Sequence, residues 1–431
     1  VECSRGELNE PISIREIKRF VAERDEKKWK EELPEVSESG KQVAIVGAGP
    51  AGLTAAWFLR LQGHNVTVFE ALPKPGGMLK AGIPDYRLPP ELLEAEISDI
   101  EEIGVEIKTN SPITSTKSLF DKGFDAIFLS MGAPKGFSVG MPGEEDQRVL
   151  DGISTLKKIN FNEKTDIEGD VAVVGGGNVA IDVARSSLRM NAKSVTVLYR
   201  RTKAEMPAYD HEIEDAIDEG VDIKFLVNPV RIIPKNDKIH VECVKMELGK
   251  PDESGRRRPV PIKDSEFILK LDRLIMAIGQ QSDVPKEFGV ELSKRGRVIA
   301  DEESLETSEK GVFAGGDLVS GPASVIEAIQ MGRIAAGSID KYLGGSGTIE
   351  FELVKKDEVS SFLGREEDFA DRKRIDLRKR EVKDRFPGFC QVEECMSKEE
   401  AIKESERCLR CQLRLKIDQP PMPPVKKKKK A

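Results

Sequence analysis

Two stretches of the chain repeat the same order of apolar and polar positions. In the first, the apolar run 43–46 is followed by a glycine-rich turn, a mostly apolar stretch and a second apolar run, 66–69. The same order returns between the apolar runs 171–174 and 195–198. Short apolar runs predict buried strands, and the longer stretches between them predict helices. The pattern therefore predicts two strand–turn–helix–strand units of the kind that bind dinucleotides.

The two ends of the chain differ from this pattern. Residues 1–40 are rich in charge and predict a helical arm, in which Ser13 and Glu16 fit a capping box ahead of an apolar stripe. Residues 346–431 predict a C-terminal extension with a cysteine cluster, a proline-rich spacer and a final lysine run. We interpret this tail as solvated, with docking onto an acidic partner or an anionic lipid as the alternative.

Composition and charge narrow the class of protein. The 431 residues suffice for two or three domains, and no apolar run approaches the roughly 18 residues of a membrane span. The net charge is −8 although the tail carries five lysines, so the rest of the chain is more acidic still. An acidic surface repels the phosphates of nucleic acid, so the charge disfavours nucleic acid as a partner. Six cysteines are too few for a disulfide scaffold and no export signal is visible, so we expect a cytoplasmic location.

The first glycine-rich turn, residues 47–52, reads GAGPAG and has the fingerprint of a dinucleotide site. Gly47 permits a tight turn, Gly49 lets the backbone approach a pyrophosphate, and Gly52 lets the helix and strand pack closely. Glu70, at the end of the second strand, is suited to accept hydrogen bonds from ribose hydroxyls. The residues predicted to bind a dinucleotide here are Gly47, Gly49, Pro50, Ala51, Gly52 and Glu70.

The second turn, residues 175–180, reads GGGNVA, with alanine where only a small side chain is required. Tyr199 stands at the position equivalent to Glu70, and Arg200 and Arg201 follow it. Two guanidiniums and no carboxylate favour a ribose 2′-phosphate, so we predict NADP(H). The alternative, NAD(H), holds if the arginines are solvated or stack on the adenine. The residues predicted to bind the nicotinamide cofactor are Gly175, Gly177, Asn178, Val179, Ala180, Arg200 and Arg201.

A third motif, residues 311–317, reads GVFAGGD and predicts a short buried strand that ends in two glycines and an acid. Asp317 is suited to bond a ribityl hydroxyl. The helix predicted after it begins near residues 324–326, and its N-terminus is suited to the ring of a flavin, where reduction places negative charge. The flavin-binding residues predicted in this segment are Gly316, Asp317, Val325 and Ile326.

Together these motifs resemble the family of the bacterial glutamate synthase small subunit (beta-subunit), within the two-dinucleotide-binding flavoproteins. The resemblance rests on GAGPAG (47–52), PGGMLKAGIPDYRLP (75–89), VVGGGNVAID (173–182), YRRTKAEMPA (199–208), AIGQ (277–280) and VFAGGD (312–317). It implies an α/β fold with two Rossmann-like domains, an FAD-binding domain of residues 41–137 and 275–345 and an inserted NAD(P)-binding domain of residues 138–274. It adds Gly77, Gly82, Arg87 and Gly132 to the residues expected to bind FAD.

The resemblance also implies an activity, that of an NAD(P)H-dependent FAD oxidoreductase. A hydride passes between the nicotinamide and the flavin, and electrons pass to or from iron–sulfur centres of partner redox subunits in a larger complex. The step itself requires no protein acid or base. One alternative is a self-sufficient oxidoreductase, for which the sequence shows no acid, base or dithiol. The other is a non-catalytic flavin-binding scaffold, which has little reason to keep both dinucleotide sites complete.

Two departures from the family pattern stand out. Relatives carry an N-terminal cysteine-rich segment with iron–sulfur clusters, of which only Cys3 is present, so we expect a fragment or a shortened relative. The usual Ala-Thr-Gly near the end of the first FAD segment reads SMG at residues 130–132, which we interpret as a tolerated variation. The three histidines lie outside any motif, and we expect them at the surface or in loops.

The remaining cysteines cluster near the C-terminus as Cys390, Cys395, Cys408 and Cys411. Four thiolates in two close pairs fit a tetrahedral metal or an iron–sulfur cluster. We favour a cluster over zinc because the rest of the chain transfers electrons, and free thiols are the alternative. Cys3 is a candidate remnant ligand.

Overall fold

The computed structural model describes residues 3–33, 35–252, 255–349 and 368–411. The chain forms two compact units. The larger contains Pro34–Glu350 and Glu381–Gln391, and the smaller contains Val1–Leu33, Phe351–Arg380 and Val392–Ala431. The lysine-rich tail interpreted above as solvated lies outside the described residues.

Strands and helices are numbered in chain order over the described residues. The strands are β1 Gln42–Val46, β2 Asn65–Phe69, β3 Glu106–Lys108, β4 Ala126–Leu129, β5 Lys135–Gly136, β6 Val149–Asp151, β7 Asp170–Val174, β8 Ser194–Tyr199, β9 Asp222–Phe225, β10 Val227–Pro234, β11 Ile239–Pro251, β12 Arg257–Pro261, β13 Phe267–Leu271, β14 Arg273–Met276, β15 Gln280–Gln281 and β16 Val312–Ala314. The helices are α1 Ile14–Ala22, α2 Pro50–Leu61, α3 Met78–Ala81, α4 Pro90–Glu102, α5 Lys117–Phe120, α6 Gly152–Asn160, α7 Asn178–Arg189, α8 Asp210–Asp218, α9 Asp317–Ser320, α10 Val325–Tyr342 and α11 Lys398–Glu406. Short 3₁₀ helices lie at Ser4–Glu7, Lys28–Glu32, Lys203–Glu205, Lys286–Phe288, Phe369–Asp371 and Val382–Asp384.

The first sheet of the larger unit is parallel and has the order β16-β4-β1-β2-β3. Alternate residues of β1 enter different cores, because successive side chains of a strand point to opposite faces. Val43 and Ile45 join the core that contains side chains of α2 and α10, whereas Ala44 and Val46 join the core on the other face. The continuous apolar run thus reflects a strand that is buried on both sides.

A second parallel sheet has the order β6-β14-β7-β8-β9. An antiparallel sheet formed by β10, β11, β12 and β13, which the motifs did not predict, shares a core with one of its faces. Cys243 lies in that core and is fully buried. The two predicted Rossmann-like domains are therefore confirmed. The predicted boundary at residue 274 falls inside β14, which belongs to the second sheet as far as Met276.

The passages of chain between the two Rossmann domains are hydrogen-bonded neighbours. The strand β5 leaves the first domain and β15 returns to it, and the two strands pair antiparallel. In this pair Gln280 lies opposite Gly136 and Gln281 lies opposite Lys135. The inserted domain therefore begins and ends at one two-stranded neck.

A second connection between the domains is a buried cluster of charged and aromatic side chains. Tyr86 and Arg87 precede α4 in the first domain. The Tyr86 ring, 1% exposed, lies under the guanidiniums of Arg185 and Arg189 of α7, which are 4.6 and 4.1 Å from the ring centre. Arg87 Nη1 donates to a carboxylate oxygen of Asp182 at 2.6 Å. Burial of these groups requires such pairing, since an unpaired buried charge is costly.

The segment 381–391, which we call the strap, adds to the same cluster from far along the chain. Arg385 is buried and donates to Glu219 at 3.0 Å. Glu219 also accepts hydrogen bonds from Arg185 and Arg189. The ring of Phe389 stacks on that of Tyr86 with centroids 6.2 Å apart. The strap therefore packs with the larger unit, although the sequence analysis assigned it to a separate extension.

His64 lies in a loop, which agrees with the expectation for the three histidines, but its side chain is buried. This residue follows α2 and is 2% exposed. Its Nε2 lies 3.0 Å from a carboxylate oxygen of Asp340 in α10, and its Nδ1 lies 2.8 Å from the hydroxyl of Ser39. The imidazole thus joins Ser39, which precedes β1, to helix α10 of the first domain.

The smaller unit contains α1 and α11. Helix α1 begins at Ile14 as predicted, but the predicted capping box is wrong because the Ser13 side chain caps no helical N–H. Instead Arg374 donates to the Ser13 hydroxyl at 2.7 Å, and the Ser13 N–H donates to Glu404 at 2.9 Å. The buried Arg5 donates to the carbonyl of Arg407, which joins the two ends of the unit. Across the described parts of the chain, no helix is long and apolar enough to cross a membrane.

Candidate cofactor-binding site

The first glycine-rich turn connects β1 to α2 as predicted. Gly47 has φ +104°, and a Cβ there would lie 2.7 Å from the carbonyl oxygen of Ser130. A Cβ on Gly52 would lie 2.1 Å from the carbonyl oxygen of Gly47, so helix and strand are in direct contact. Gly49 is different, because the nearest atom to a Cβ there is Gly77 Cα at 3.9 Å. The turn is closed behind Gly47 and Gly52 and open in front of Gly49, where a pyrophosphate requires space.

Glu70 lies at the end of β2 and is 6% exposed. One carboxylate oxygen accepts the N–H of Ala48 inside the turn, and the other accepts the N–H of Leu72, both at 2.8 Å. Glu70 therefore fixes the turn itself. Each carboxylate oxygen retains acceptor capacity for a ribose hydroxyl, so the predicted role is compatible with this placement.

Other glycines of the first segment border the same turn. Gly77 has φ +54°, and a Cβ there would lie 2.7 Å from Gly49 Cα. Gly132 has φ +69°, and no protein atom lies within 4 Å of the position that a Cβ would take there. The Ser130 hydroxyl donates to the Gly47 carbonyl at 3.0 Å, so the variant sequence of residues 130–132 holds the turn by a hydroxyl of its own. At Gly82, in contrast, the Met78 side chain occupies the space that a Cβ would take, so this glycine serves packing.

Arg87 departs from the prediction that it binds FAD. Its guanidinium forms ion pairs with Asp182 and Glu212 of the inserted domain. Its partners lie roughly a hundred residues away in sequence, so the motif alone could not reveal them. We therefore assign Arg87 to the contact between the domains.

The third motif places an acid and a helix N-terminus side by side. Gly316 has φ +66° and precedes Asp317 at the start of α9. The Asp317 carboxylate accepts the N–H of Ala323 at 3.2 Å, and burial raises the pKa of Asp317 above its ordinary value. Helix α10 begins directly after this contact, with Val325 40% and Ile326 71% exposed. Exposed apolar side chains at a helix N-terminus fit the flat, apolar ring of a flavin.

The second turn opens into a cavity of about 920 Å³. Gly175 has φ +146°, and a Cβ there would lie 2.2 Å from the carbonyl oxygen of Ala277. Gly177 is open, with Pro207 as its nearest neighbour at 3.9 Å. This is the same division between closed and open glycines as in the first turn. The fit to a second dinucleotide therefore has the same physical basis.

The residues after the second turn have distinct structural roles. Asn178, at the start of α7, accepts the N–H of Tyr209 through its side chain at 3.2 Å. Val179 lines the cavity, and Ala180 is fully buried under the sheet. The Tyr199 ring fills the space in front of Gly176, where a Cβ would lie 2.4 Å from the ring. The Tyr199 ring therefore packs against the second turn at Gly176.

The two predicted arginines are not equivalent. Arg200 is exposed and lines the cavity. Arg201 is 5% exposed, donates to the Arg257 carbonyl at 2.7 Å and pairs with Asp252 at 2.8 Å. The predicted fork of two adjacent guanidiniums is therefore not what the structure shows. Arg256, which the sequence analysis missed, also lines the cavity, and the run of arginines 256–258 was its only signal.

The cavity extends from the second turn to the first domain. Its far wall contains Gly279 and Gln280 of the neck and Pro322 and Ala323, just before α10. The carboxylate of Asp151 also lines it and accepts the N–H of Ser154 at 2.7 Å. Among the described lining residues there is no cysteine. The cavity thus joins the second glycine-rich turn to the N-terminus of α10.

The described cysteines do not form the predicted metal site. Among the residues that the structure places, no three His, Cys, Asp or Glu side chains are grouped so as to hold a metal ion. The Cys395 thiol lies 3.5 Å from Arg24, the Cys408 thiol accepts the N–H of Arg410, and the Cys390 thiol lies 3.5 Å from the Asp384 carbonyl. The thiols therefore have separate local partners, and these residues do not fit a cluster as they stand.

Comparisons with known proteins agree with this geometry. Residues 41–332 match the pyridine nucleotide-disulphide oxidoreductase family. The chain is 42% identical to the NADP(+)-dependent formate dehydrogenase subunit beta of Moorella thermoacetica, over 95% of this chain and 63% of that protein. It is 35% identical to the NADPH-Fe(3+) oxidoreductase subunit beta of Geobacter sulfurreducens, over 95% of this chain and 67% of that protein. The chain thus spans about two thirds of the length of these relatives.

The glutamate synthase (NADPH) small chain of Escherichia coli is 36% identical, over 79% of this chain and 77% of that protein. Among solved structures, FprA of Mycobacterium tuberculosis in complex with NADPH has a TM-score of 0.60 at 19% identity, covering 70% of this chain and 84% of that one. The thioredoxin reductase of Lactococcus lactis has a TM-score of 0.54 at 22% identity, covering 70% and 99%. These structures establish the likeness of fold.

Proposed function

The chain belongs to the pyridine nucleotide-disulphide oxidoreductase family, and on that premise we propose that it is an electron-transfer subunit that exchanges a hydride between NADPH and bound FAD. The glutamate synthase small subunit, named above from the motifs, is among its relatives. In spite of the family name, dithiol chemistry beside the flavin has no candidate residue, since the sequence has no cysteine between Cys3 and Cys243.

The observation that carries the proposal is the continuity of the cavity. It begins at the open Gly177 beside the N-terminus of α7 and reaches Ala323 beside the N-terminus of α10. A dinucleotide whose pyrophosphate lies at the second turn can therefore extend its other end towards the flavin position. Hydride transfer requires the two rings to approach within about 3 to 3.5 Å, and a single continuous cavity permits that approach.

The residues of the chain bind the two cofactors and orient them. The N–H groups at the N-termini of α2 and α7 bind the pyrophosphates, and Gly49 and Gly177 leave room for them. The N-terminus of α10 places a partial positive charge where negative charge develops on reduction. When bound, FAD supplies a ring that accepts two electrons together and can release them singly.

We further propose that the electrons pass to or from iron–sulfur centres of partner redox subunits. The relatives in Moorella thermoacetica and Geobacter sulfurreducens are named as beta subunits, and the Escherichia coli relative as a small chain. The described cysteines give no support to a cluster in this chain, so the proposal places these centres in the partners.

Anaerobic titration of the flavin-loaded chain tests the proposal. NADPH should bleach the visible absorbance of the flavin, and NADH should require a higher concentration. Gly177→Val provides a matched variant, because its side chain fills the second turn and leaves the first untouched. It should retain flavin that dithionite reduces and NADPH does not.

Two outcomes would contradict the proposal. Failure of both coenzymes to bleach flavin that dithionite reduces would leave the scaffold alternative. Bleaching of Gly177→Val by NADPH at the same rate as the unsubstituted chain would remove the second turn from the reaction. The self-sufficient alternative has little structural support, since the carboxylate of Asp151 in the cavity already caps α6.

A further inference from the structure

A second cavity, of about 520 Å³, borders the cavity described above. Phe137, Gln280 and Pro322 line both cavities, so they form the partition between them. Neither glycine-rich turn contributes to the described walls of the second cavity. Its volume lies within the range of roughly 300 to 1,000 Å³ that small-molecule sites occupy. The second cavity is therefore a candidate binding site that the dinucleotide turns do not explain.

The cations of the second cavity come from one tight turn, residues 293–297. Lys294, Arg295 and Arg297 line the cavity. The Gly296 N–H closes the turn by donating to the Ser293 carbonyl at 2.9 Å, so the backbone keeps the three residues close together. No aspartate or glutamate is among the described lining residues. None of the three cations forms an ion pair with a carboxylate in the part of the chain that the structure describes.

Arg297 is fixed against the wall of this cavity. Its Nη1 donates to the Ser320 carbonyl. A Cβ on Gly321, which also lines the cavity, would lie 2.2 Å from Arg297 Nη2. One edge of the guanidinium thus holds the loop before α10, and its other N–H groups have no acceptor among the described residues.

The Ser282 hydroxyl adds a polar group that needs a partner. Ser282 lines the cavity, and its Oγ is buried without a hydrogen-bond partner among the described residues. The carboxylate of the next residue, Asp283, is paired with Lys135 at 2.7 Å. A buried hydroxyl without a partner costs free energy, and a bound acceptor would remove that cost.

We propose that the second cavity binds a small organic anion with two or more carboxylate or phosphate groups. Like charges held close together raise the free energy, and an anion with several charges offsets that repulsion through charge-assisted hydrogen bonds. The apolar side chains of Ala133, Phe137 and Pro322 in the same walls suit the carbon skeleton of such a ligand. The inference goes beyond the proposed function and does not depend on it, because the site contains neither dinucleotide turn.

Calorimetric titration of the flavin-loaded chain tests the site. Citrate and glycerol 3-phosphate serve as the probes, with acetate as a single-charge comparison, all at constant ionic strength. At least one of the two probes should bind saturably at one site per chain, and acetate should not bind at the same concentrations. The preferred probe distinguishes a carboxylate ligand from a phosphate ligand.

Arg295→Ala should weaken binding of the preferred probe by about tenfold or more, the loss of one charge-assisted hydrogen bond. The matched control is Lys286→Ala, which removes an exposed cation of the same domain that does not line the cavity and should leave binding unchanged. Retention of the flavin spectrum shows that each variant is folded.

Ser282→Ala tests the hydroxyl separately. Without the probe, its urea midpoint should equal or exceed that of the unsubstituted chain, because the variant removes a buried polar atom that has no partner. With the probe, its affinity should be lower. A lower urea midpoint together with an unchanged affinity would overturn the role assigned to Ser282.

The failures are distinguishable. Absence of saturable binding of both probes overturns the site. Binding that Arg295→Ala keeps and Gly177→Val loses would place the anion at the second glycine-rich turn, which also overturns it. Both results leave hydride transfer between NADPH and FAD untouched. Conversely, a flavin that NADPH does not bleach would contradict the proposed function and leave the anion site standing.

Discussion

At the residue scale, the glycines of the two turns are of two kinds. Gly52 and Gly175 are required because a Cβ would meet backbone atoms of the protein itself, at 2.1 and 2.2 Å. Gly49 and Gly177 have no protein atom closer than 3.9 Å to that position. The first kind serves folding and the second serves a ligand, so substitutions at the two kinds should have different effects.

Gly49→Val should therefore lose FAD and keep the fold. The added side chain extends into the space for the pyrophosphate, where the nearest protein atom to its Cβ is Gly77 Cα at 3.9 Å. We expect a colourless protein whose far-ultraviolet circular dichroism equals that of the apoprotein. Gly52→Val is the comparison, and it should fail to fold because the side chain collides with the Gly47 carbonyl. A full flavin spectrum in Gly49→Val would show that the first turn does not hold the cofactor.

Asp182 gives a prediction about pH. Burial raises its pKa to about 7, and Arg87 only partly offsets this. The charged and polar groups around it are Arg87, Glu212, Arg185 and Tyr86. Since the folded state binds the proton more tightly than the unfolded chain, the stability contributed by protonation is lost as pH rises towards 7.

The free energy of unfolding should consequently fall between about pH 4 and about pH 7, the interval between the ordinary pKa of an aspartate and the raised pKa of Asp182. Asp182→Asn, which resembles the protonated acid, should reduce that slope. Urea unfolding of the flavin-loaded protein at several pH values measures it. An unchanged slope in Asp182→Asn would assign the pH dependence to other groups.

At the scale of elements, the sequence predicted the units whose strand, turn and helix are contiguous. It did not predict contacts between residues that are far apart in the chain. The strand, turn and helix of each dinucleotide unit follow one another directly, so apolar runs and glycine spacing were sufficient to predict them. Arg87 and Arg201 were predicted to bind cofactors from local motifs. Their ion-pair partners, Asp182 and Asp252, lie about fifty or more residues away in sequence, so the motifs could not reveal them. The antiparallel sheet β10 to β13 was missed because no motif marks its strands.

The strap is the element whose contribution to the stability of the larger unit is easiest to measure. Arg385 is 4% exposed and donates to Glu219, which also holds Arg185 and Arg189. Arg385→Ala should destabilise the larger unit by about 3 kcal/mol, the lower end for breaking a buried ion pair, because Glu219 keeps its other partners. Lys383→Ala, an exposed residue of the same strap, is the control. Equal urea midpoints for the two variants would show that the strap adds little to the fold.

At the scale of the whole molecule, the cysteines are divided between two units. Cys390 belongs to the larger unit, whereas Cys3, Cys395, Cys408 and Cys411 belong to the smaller. Cys243 is buried in the core of the second domain, where burial raises the pKa of its thiol to about 12. The accessible thiols and the core thiol should therefore react very differently.

We expect the purified chain to contain iron and zinc far below one atom per chain. A thiol reagent at neutral pH should modify Cys411 and the half-buried cysteines of the native protein and reach Cys243 only after unfolding. Elemental analysis and mass mapping measure both. One metal per chain, lost in Cys408→Ser, would restore the cluster predicted from the sequence.

The neck formed by β5 and β15 has a consequence for how such proteins arise. Because Gln280 lies opposite Gly136, the points where the inserted domain starts and stops are adjacent. A tight turn could close that gap, so a single recombination event can remove the whole insertion or replace it without breaking the first sheet. Tyr86, Arg87 and the strap would then need new partners. A lineage could thus exchange the inserted domain as one cassette while it keeps the first domain, provided that the cassette brings a matching surface for these side chains.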